Sequence, residues 1–458
     1  MITNLFSFKD LFTDYTELRC QENNSLVMVF LKGNNTTNTR LSTSGISARV
    51  YKKGAWGFAS YPETTADGVK FVISAASHNA NFLAAKEPQQ NKALPVSTPT
   101  SHRDLVPPKS PLHPKQLVSF LKEIDHYIAE RYPQLASRTV VLHRSELKKE
   151  LLTSDGASVL SFLPRSLIQI SLTIEQEGAP VSLQESYGGR GQFEALFTSP
   201  SDLFPKIDWL YEHLMRKREG IFADAGLKNC VLAPEMTGIL AHEAIGHTCE
   251  ADLVLGGSVA GPHLHQEVAS PLVSLIDFAH TAFGATCPVP IFVDDEGTKA
   301  EDVALIDHGK LNGFLHNKES AGHFGVPPTG NARAYRFSDE PLIRMRNTAI
   351  LPGTAKLEEM IASLEDGYYL MRPSNGQADS TSEFMFGVTL GYEVKNGKLG
   401  RAIKDTTISG LAFQVLKTVS QVSQEFKWLS GGMCGKKQLL PVGLGGPALK
   451  CQVMIGGR

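Results

Sequence analysis

The chain of 458 residues is too long for one ordinary hydrophobic core, so two or three domains are expected. Its hydrophobic content of 42% and charged content of 20% are typical of a soluble globular protein and exclude general disorder. The net charge of −2 and the isoelectric point near 6.7 argue against a protein whose primary ligand is nucleic acid.

The N-terminal segment is not expected to be a secretory signal, because charges at Lys9 and Asp10 interrupt it and no long apolar run follows. No stretch of about 18 apolar residues predicts a membrane span. The six cysteines form no Cys-x-x-Cys pair, which favours free thiols in a reducing compartment. These features predict a cytoplasmic protein that does not bind a membrane.

The first half of the chain predicts a mixed α/β domain. Residues 94–114 contain six prolines and are predicted to form an exposed loop. Apolar residues recur at helical spacing in two segments, at Leu117, Leu121, Ile124 and Ile128 and at Ile207, Leu210 and Leu214. Alternation with polar residues predicts a half-buried strand at Ile168, Ile170, Leu172 and Ile174. Gly220 ends the second helix, and a domain boundary is expected near residue 222.

The second half, residues 223–458, predicts a strand-rich domain that carries one notable helix. "ALIDHGKLNGFL" and "GYEVKNGKLGRAI" are typical of hairpins, the second with Asn396-Gly397 as a favoured two-residue turn. The expected architecture is therefore α+β in two domains, with a mixed α/β domain at residues 1–222 followed by the strand-rich domain.

The helix with candidate metal-binding and catalytic residues lies in "ILAHEAIGHTCEADLVLGG", residues 239–257, where His242 and Glu243 precede His247. Zinc peptidases often carry His-Glu-x-x-His, with the histidines four residues apart. Each residue of a regular α-helix turns by about 100°, so histidines five residues apart point about 140° away from each other. They can meet at one metal ion only if the helix is distorted.

A π-bulge provides such a distortion, because bonding between residues five apart brings their side chains near alignment. Gly246 has no Cβ and is a natural place for the departure, so a distorted helix is predicted at residues 244–247. A catalytic zinc usually has three protein ligands. From the residues alone, several rivals for the third ligand remain open: Glu250, Asp252, His263, His265, Cys249 and Cys434.

"HEAIGHTCEAD" and "MCGKKQLLPVGLGGP" together resemble the TldD/PmbA family of zinc metallopeptidases, once described as modulators of DNA gyrase. Further segments between them agree in order and spacing, namely "FVDDEGTKAEDVALIDHGKLNGFLHNKESA", "PTGNARAY", "IRMRNTAILPG" and "NGQADSTSEFMF". "DGASVLSFLPRSLIQISLTIEQEG" and "GGRGQFE" extend a weaker similarity into the first half. The chain is thus similar to the metal-motif-bearing, TldD-like kind of subunit.

The resemblance implies that His242, His247 and Cys434 bind zinc. It also implies that Glu243 acts as the general base, since a carboxylate beside a zinc-bound water can accept its proton. Glu250 and Asp252 are expected either to orient the ligand histidines or to support the helix end.

The family acts on unfolded or extended peptides, so such peptides are the expected substrate, bound by strand addition. Asn375, Gly376 and Gln377 are predicted to bind the substrate backbone, or else to form an ordinary turn before a strand. Arg333 and Arg344 are candidates for binding a substrate carboxylate. The family works as dimers, so a homodimer or a heterodimer with a related subunit is expected.

Two other functions remain open from the sequence. The chain could be a catalytically inert or structural binding subunit, although the intact Glu243 argues against this. It could also be a metal-dependent amidase acting on a small substrate, which would need a closed pocket rather than a long groove.

Overall fold

The computed structural model describes residues 5–86, 93–104, 109–378, 380–429 and 431–456. The elements of its first part are β1 (Tyr15–Leu31), β2 (Asn34–Lys52), β3 (Ala55–Tyr61), α1 (Ala66–Lys86), β4 (Thr100–Asp104), α2 (Pro114–Arg131), β5 (Ser137–Thr153), β6 (Ser158–Gln176), β7 (Ala179–Arg190), α3 (Phe193–Leu196) and α4 (Phe204–Arg218). Short 3-10 helices span Leu5–Leu11 and Pro200–Leu203.

The strands of the first part form one sheet in the order β3-β2-β1-β5-β6. The free edge of β6 pairs with β4 near its start and with β7 along the rest of its length. Only the β4–β6 pairing is parallel among the described strands of this sheet. Helix α1 packs on β2 and β3, whereas α2 and α4 share a core with β5 and β6. One face of the sheet is therefore covered by helices.

The elements expected in this half are confirmed. Helices α2 and α4 bury the apolar residues that set their spacing, and β6 buries its alternating apolar residues against them. The proline-rich segment is not all loop, however, since Thr100–Asp104 pair with β6. Its prolines flank this strand at Pro99 and Pro107 instead of interrupting it, which the prediction of a loop overlooked. Residues 105–108 of the segment lie outside the described residues.

The second part begins with β8 (Gly226–Leu232), α5 (Pro234–Ile239), a π-helix (Leu240–Gly246), a 3-10 turn (His247–Cys249), α6 (Ala251–Leu255) and a further 3-10 turn (Gly261–His263). It continues with β9 (Leu275–Phe278), β10 (Thr281–Ala282), β11 (Ala285–Thr286), β12 (Val303–Asp307), β13 (Lys310–Leu311), α7 (Lys318–Phe324), β14 (Ala332–Arg333), β15 (Leu342–Ile343), β16 (Asn347–Ile350) and α8 (Leu357–Ala362). Its last elements are β17 (Gly367–Ala378), β18 (Glu383–Lys395), β19 (Lys398–Ala402), β20 (Thr406–Leu411), α9 (Ala412–Lys417), β21 (Gln421–Leu429), β22 (Met433–Cys434), β23 (Leu440–Pro441) and β24 (Gly443–Ile455).

The large sheet of this part runs in the order β13-β12-β9-β16-β24-β20-β18-β17-β8. Because β8 also pairs with β24, the strands β24, β20, β18, β17 and β8 close into a ring. The apolar side chains of these strands share one core with the segment that carries His242 and His247. Both predicted hairpins form, with turns at His308-Gly309 and at Asn396-Gly397. In the second turn, φ is 49° at Asn396 and 69° at Gly397. The α+β class is confirmed, and no described helix is long and apolar enough to span a membrane.

Candidate metal centre

The segment that carries the two histidines departs from a regular α-helix. After α5 the bonding widens to a π-helix over Leu240–Gly246, and the backbone N–H of His247 donates to the carbonyl of His242, five residues earlier. A 3-10 turn over His247–Cys249 follows. The predicted distortion is confirmed, but it begins at Leu240 and not at residue 244. The extra residue in the turn is what lets histidines five residues apart face the same point.

Gly246 is needed for a different reason than the one predicted. Its backbone angles of −56° and −47° are ordinary for a right-handed helix, so no special backbone freedom is used. A Cβ at this position would lie 1.9 Å from Sδ of Met345. Glycine therefore leaves the space beside the helix that the Met345 side chain occupies.

His242, His247 and Cys434 meet at one point. Their ligand atoms all lie within 4.8 Å of one another, and they are the one such group of histidine, cysteine or acidic side chains found among the described residues. The Cys434 Sγ lies 3.3 Å from Nε2 of His247, and the two imidazoles meet edge to face with centroids 5.1 Å apart. The hairpin of β22 and β23 brings Cys434 to the helix from almost two hundred residues away.

The surroundings of this group suit a metal ion. His242 is fully buried, and neither of its ring nitrogens has a hydrogen-bond partner among the described residues. Buried polar atoms are normally bonded, so this imidazole fits a ligand better than a structural side chain. Two imidazoles and one thiolate are donors that a divalent transition-metal ion prefers.

The electrostatics favour the thiolate. Burial opposes ionisation of Cys434, but the adjacent imidazoles of His242 and His247 outweigh it and lower the pKa of the thiol to about 3. Burial by itself lowers the pKa of His247, but the Glu250 carboxylate and the Cys434 sulfur together raise that pKa to about 10. The site thus holds concentrated negative charge beside His247, which attracts a cation.

Glu243 lies on the open side of this group. Its carboxylate oxygens lie 3.6 Å from Nε2 of His247 and 4.0 Å from Nε2 of His242, and its side chain is 23% exposed. The same residue lines a cleft of about 850 Å³ whose walls include β7 and β17. Glu243 thus lies between the group of His242, His247 and Cys434 and the cleft.

Glu250 is fully buried and contacts the His247 ring on the side opposite Cys434. Its Oε2 lies 2.9 Å from Nδ1 of His247 and 3.1 Å from Nζ of Lys436. Lys436 also binds Asp252, at 2.7 Å, so Asp252 contacts the lysine and not a histidine. Of the two expected roles, Glu250 has the orienting geometry, and Asp252 anchors the loop that carries Cys434. Lys436 was missed by the sequence reasoning, although it stands in the "CGK" segment.

The other rivals for the third ligand lie elsewhere. The Nδ1 of His263 bonds to the carbonyl of Val259, and its ring packs on Phe413. Neither His263, His265 nor Cys249 belongs to the converging group. Burial raises the pKa of the Cys249 thiol to about 12, which disfavours the thiolate that a metal ion binds.

The structure does not support a substrate-binding role for Arg333 and Arg344. Both are buried, and their guanidinium groups donate to backbone carbonyls. Arg333 donates to the carbonyls of Met345 and Pro441. Arg344 donates to the carbonyl of Cys434 at 2.8 Å and to that of Gln438 at 3.0 Å. These arginines fix the hairpin that presents Cys434. The sequence could not distinguish this role, because the acceptors are backbone atoms of a distant segment.

Asn375, Gly376 and Gln377 lie near the end of β17 and not in a turn. Gly376 lines the same cleft as Glu243, and Gln377 is exposed beside Met385 of β18. The side chain of Asn375 lies outside the described residues. The structure thus brings this segment to the cleft wall.

An ion cluster in the cleft also escaped prediction. Arg372 of β17 binds Glu185 of β7 at 2.6 Å and Glu235 of α5 at 3.0 Å. All three line the cleft together with Glu243. No sequence pattern connects them, because they come from three elements that meet only in the fold.

Comparisons with known proteins identify the relatives of this chain. Residues 226–457 match the family description "PmbA/TldA metallopeptidase C-terminal domain", and residues 16–80 match "PmbA/TldA metallopeptidase domain 1". The chain is 30% identical to a metalloprotease of Methanothermobacter thermautotrophicus, over 90% of this chain and 89% of that protein. It is 27% identical to a zinc metalloprotease TldD homolog of Saccharolobus solfataricus, over 90% of each.

Solved structures share the fold. A protein described as a modulator of a DNA gyrase from Thermotoga maritima superposes with a TM-score of 0.78 at 19% identity, over 99% of this chain and 98% of that one. TldE from Thermococcus kodakarensis superposes with a TM-score of 0.75 at 17% identity, over 99% of each chain. The metalloprotease relatives imply a metal ion, and His242, His247 and Cys434 form the group of described side chains that could hold one. The chain therefore belongs to the TldD/PmbA family of metallopeptidases.

Proposed function

We propose that the protein is a zinc-dependent peptidase that hydrolyses peptide bonds of unfolded or extended peptides. The observation that carries this proposal is the convergence of His242, His247 and Cys434 within 4.8 Å, with the Glu243 carboxylate beside them at the wall of a cleft. A purely structural zinc site would need no carboxylate in that position.

His242, His247 and Cys434 would hold the zinc ion through two neutral imidazoles and a thiolate. When bound, zinc lowers the pKa of a coordinated water to about 7 and polarises the substrate carbonyl. Glu243 accepts a proton from the attacking water and donates it to the leaving amine as the C–N bond breaks. Glu250 keeps the Nδ1 proton of His247 in place, so that Nε2 presents its lone pair to the metal position.

The shape of the cleft supports a peptide substrate over a compact small molecule. The cleft of about 850 Å³ is bounded by strands from both parts of the chain, and a second cavity adjoins it. We assign Asn375, Gly376 and Gln377 to backbone binding, because β17 pairs with β8 only through Leu370 and Gly376 lines the cleft. A peptide added along this strand would be held with little sequence preference.

We place the enzyme in the cytoplasm, in a dimer with itself or with a related subunit. All six cysteines are free and buried, which agrees with a reducing compartment. The similarity of fold to TldE supports a related chain as the partner.

The first experiment measures the zinc content of purified protein by mass spectrometry. Wild type is expected to hold about one zinc ion per chain, and Cys434→Ala is expected to lose most of it, because two imidazoles alone bind zinc weakly. Cys249→Ala, which removes a buried thiol outside the group, is the matched control and should keep its zinc. Equal zinc in Cys434→Ala and wild type would show that Cys434 is not a ligand.

The second experiment measures hydrolysis of unfolded peptides by zinc-loaded protein. Glu243→Gln should keep its zinc but lose activity by about 10²–10⁴-fold, since general base catalysis contributes a factor of this size. Zinc-loaded wild type that hydrolyses no peptide would instead support the inert subunit.

A further inference from the structure

The face of the first sheet opposite α1, α2 and α4 is covered at one end by the second part of the chain. Along β1, the Arg19 guanidinium donates to the carbonyls of Arg336 and Asp339, and the side chain of Asn23 donates to the carbonyl of Tyr335. Past Asn23 a cavity of about 560 Å³ opens between the sheet and the hairpin of β22 and β23. This cavity is a groove over the sheet.

The floor of the groove crosses four strands of the sheet. Residues that pair across antiparallel strands lie on the same face. The register gives two neighbouring rows of floor residues, which are Leu41, Ser25 and Ser145 in one and Val27, His143 and Leu167 in the other. The floor thus runs from β6 across β5 and β1 to β2, at right angles to the strands.

The groove continues the proposed catalytic cleft. The two spaces share four lining residues, namely Leu167, Ser186, Gly431 and Met433. Met433 also directly precedes Cys434, the proposed zinc ligand, in the chain. A peptide that lies in the cleft can therefore continue over the first sheet without leaving the surface of the protein.

Large apolar side chains are exposed on both walls of the groove. Leu41 on the floor is 55% exposed, and Met433 and Leu439 on the hairpin are 41% and 58% exposed. Covering such side chains removes apolar area from water, which favours binding of another apolar group. Ser25 and Ser145 lie between them on the floor and provide hydroxyl groups for a peptide backbone. These walls suit an extended peptide with apolar side chains.

The width of the sheet sets the length of peptide that reaches the far end of the groove. Leu167 of β6 lies at the cleft, and Leu41 of β2 lies three strands further on. Neighbouring strands are about 4.8 Å apart, so this path is about 14 Å long. An extended peptide advances about 3.3 Å per residue. A substrate therefore reaches Leu41 when it continues about four residues beyond the β6 wall of the cleft.

We propose that this groove is an exosite, a binding site for a part of the substrate away from the reacting bond. It binds apolar side chains of the peptide about four residues beyond the β6 wall of the cleft. The inference rests on the proposed peptidase function and specifies its substrates. Unfolded chains expose the leucine-like side chains that folded proteins bury. The preferred substrates are therefore unfolded segments with apolar residues that are long enough to occupy the cleft and the groove together.

Peptide binding tests the exosite without hydrolysis. Zinc-loaded Glu243→Gln protein is titrated with a labelled hexapeptide and with the same peptide extended by six residues, at its amino end or at its carboxyl end. The extension contains either two leucines or two serines. At one of the two ends, the leucine extension is expected to bind about tenfold more tightly than the serine extension, because the groove buries a leucine side chain. Equal affinities for leucine and serine extensions at both ends would overturn the proposal.

Adding Leu41→Gln assigns the gain in affinity to the groove. The side chain of Leu41 is largely exposed, so its replacement should preserve the fold and the affinity for the hexapeptide but remove most of the gain from leucine. Leu399→Gln is the matched control, since Leu399 of β19 is 50% exposed and lines neither the cleft nor the groove. The control should keep the gain. A gain that survives Leu41→Gln, or that both variants lose, would contradict the exosite.

Cleavage and subunit association separate this inference from the alternatives. In wild type the leucine extension should lower KM about tenfold and leave kcat unchanged, since the groove does not touch the reacting bond. Cleavage with a KM that ignores the leucines would keep the peptidase and overturn the exosite. A leucine gain in binding that depends on Leu41, without cleavage of any peptide, would overturn the peptidase and keep the groove. If Leu41→Gln weakens a dimer in sedimentation velocity but leaves peptide affinity unchanged, the groove is a subunit interface and the proposal is wrong.

Discussion

The buried carboxylate of Glu250 is placed to orient His247, the proposed metal ligand, and not to bind the metal ion itself. It is fully buried and lies on the far side of the His247 ring from Cys434, bonded to Nδ1. Binding at Nδ1 fixes the tautomer whose Nε2 is free for a metal ion. Lys436 completes this arrangement because its ammonium bridges Glu250 and Asp252.

Glu250→Gln is expected to weaken zinc binding by about 10–100-fold, the usual effect of losing a partner that orients a ligand. The substitution keeps the size of the side chain but removes the charge that faces His247. Competition with a chromogenic chelator measures the affinity.

Asp252→Asn is the control, since Asp252 is 41% exposed and touches only the lysine in this arrangement. Its zinc affinity should stay close to that of wild type. If both variants bind zinc as tightly as wild type does, Glu250 does not orient His247.

At the scale of elements, the π-helix was predicted from spacing alone, because only a wider turn aligns histidines five residues apart. The reason for Gly246 was not predictable in the same way. Met345 comes from the segment between β15 and β16, and no local pattern reveals that its sulfur would occupy the space of a Cβ.

Gly246→Ala is expected to destabilise the protein by about 1–3 kcal/mol, because the added methyl group overpacks against Met345. Urea unfolding of metal-free protein measures the change in the free energy of unfolding. Gly256→Ala is the control, since its φ of −78° suits alanine and the nearest atom to a Cβ is 3.4 Å away. Equal destabilisation by Gly246→Ala and Gly256→Ala would contradict the packing argument.

The destabilisation by Gly246→Ala should be smaller in a Met345→Ala background, because the shorter alanine side chain leaves room for the added methyl group. A double-mutant cycle of the two substitutions would then show a favourable coupling energy. Additive effects would mean that the two residues do not compete for this space.

At the scale of the whole molecule, the first sheet faces the second part of the chain through buried charges. Arg49 of β2 forms ion pairs with Glu17, Glu296 and Glu340, and its guanidinium stacks 3.6 Å from the ring of Trp56. Glu296 and Glu340 belong to the second part. We also propose a domain boundary near residue 222, because the last strand of the first sheet ends at Arg190 and the first strand of the second sheet begins at Gly226.

Arg49→Met is expected to cost about 3–5 kcal/mol of unfolding free energy near neutral pH, because it leaves the buried Glu296 carboxylate without its cation. Lys52→Met on the same strand is the control. Lys52 pairs with Asp14 at 2.8 Å while both side chains are a quarter exposed, so its loss should cost less than about 1 kcal/mol. Similar losses in both variants would rule out a special role for Arg49.

The cost of Arg49→Met should also depend on pH. Burial raises the pKa of Glu17 to about 8, although Arg49 opposes this rise. A carboxyl whose folded pKa is raised contributes stability that is complete below its unfolded value of about 4.3 and is lost as pH rises through the folded pKa. Removing Arg49 raises the folded pKa further, so the difference from wild type should grow as pH rises above about 8, where Glu17 ionises in folded wild type but stays protonated in the folded variant. A difference that shrinks over this range would contradict the assignment.

The sequence by itself determined the fold class, the helices and strands with clear periodicity, and the distortion between His242 and His247. These are local properties, because side-chain period and turn geometry are fixed within a few residues. Family resemblance was needed to choose Cys434, since the sequence alone left it beside Glu250 and Cys249.

Only the tertiary structure decided which distant groups meet. It brought Cys434 to 3.3 Å from His247, placed Arg333 and Arg344 on backbone carbonyls instead of in the cleft, and opened a groove over one face of the first sheet. Each of these contacts joins segments that are far apart in the chain. Their positions depend on how two sheets and a hairpin pack together, and no local pattern of residues specifies that packing.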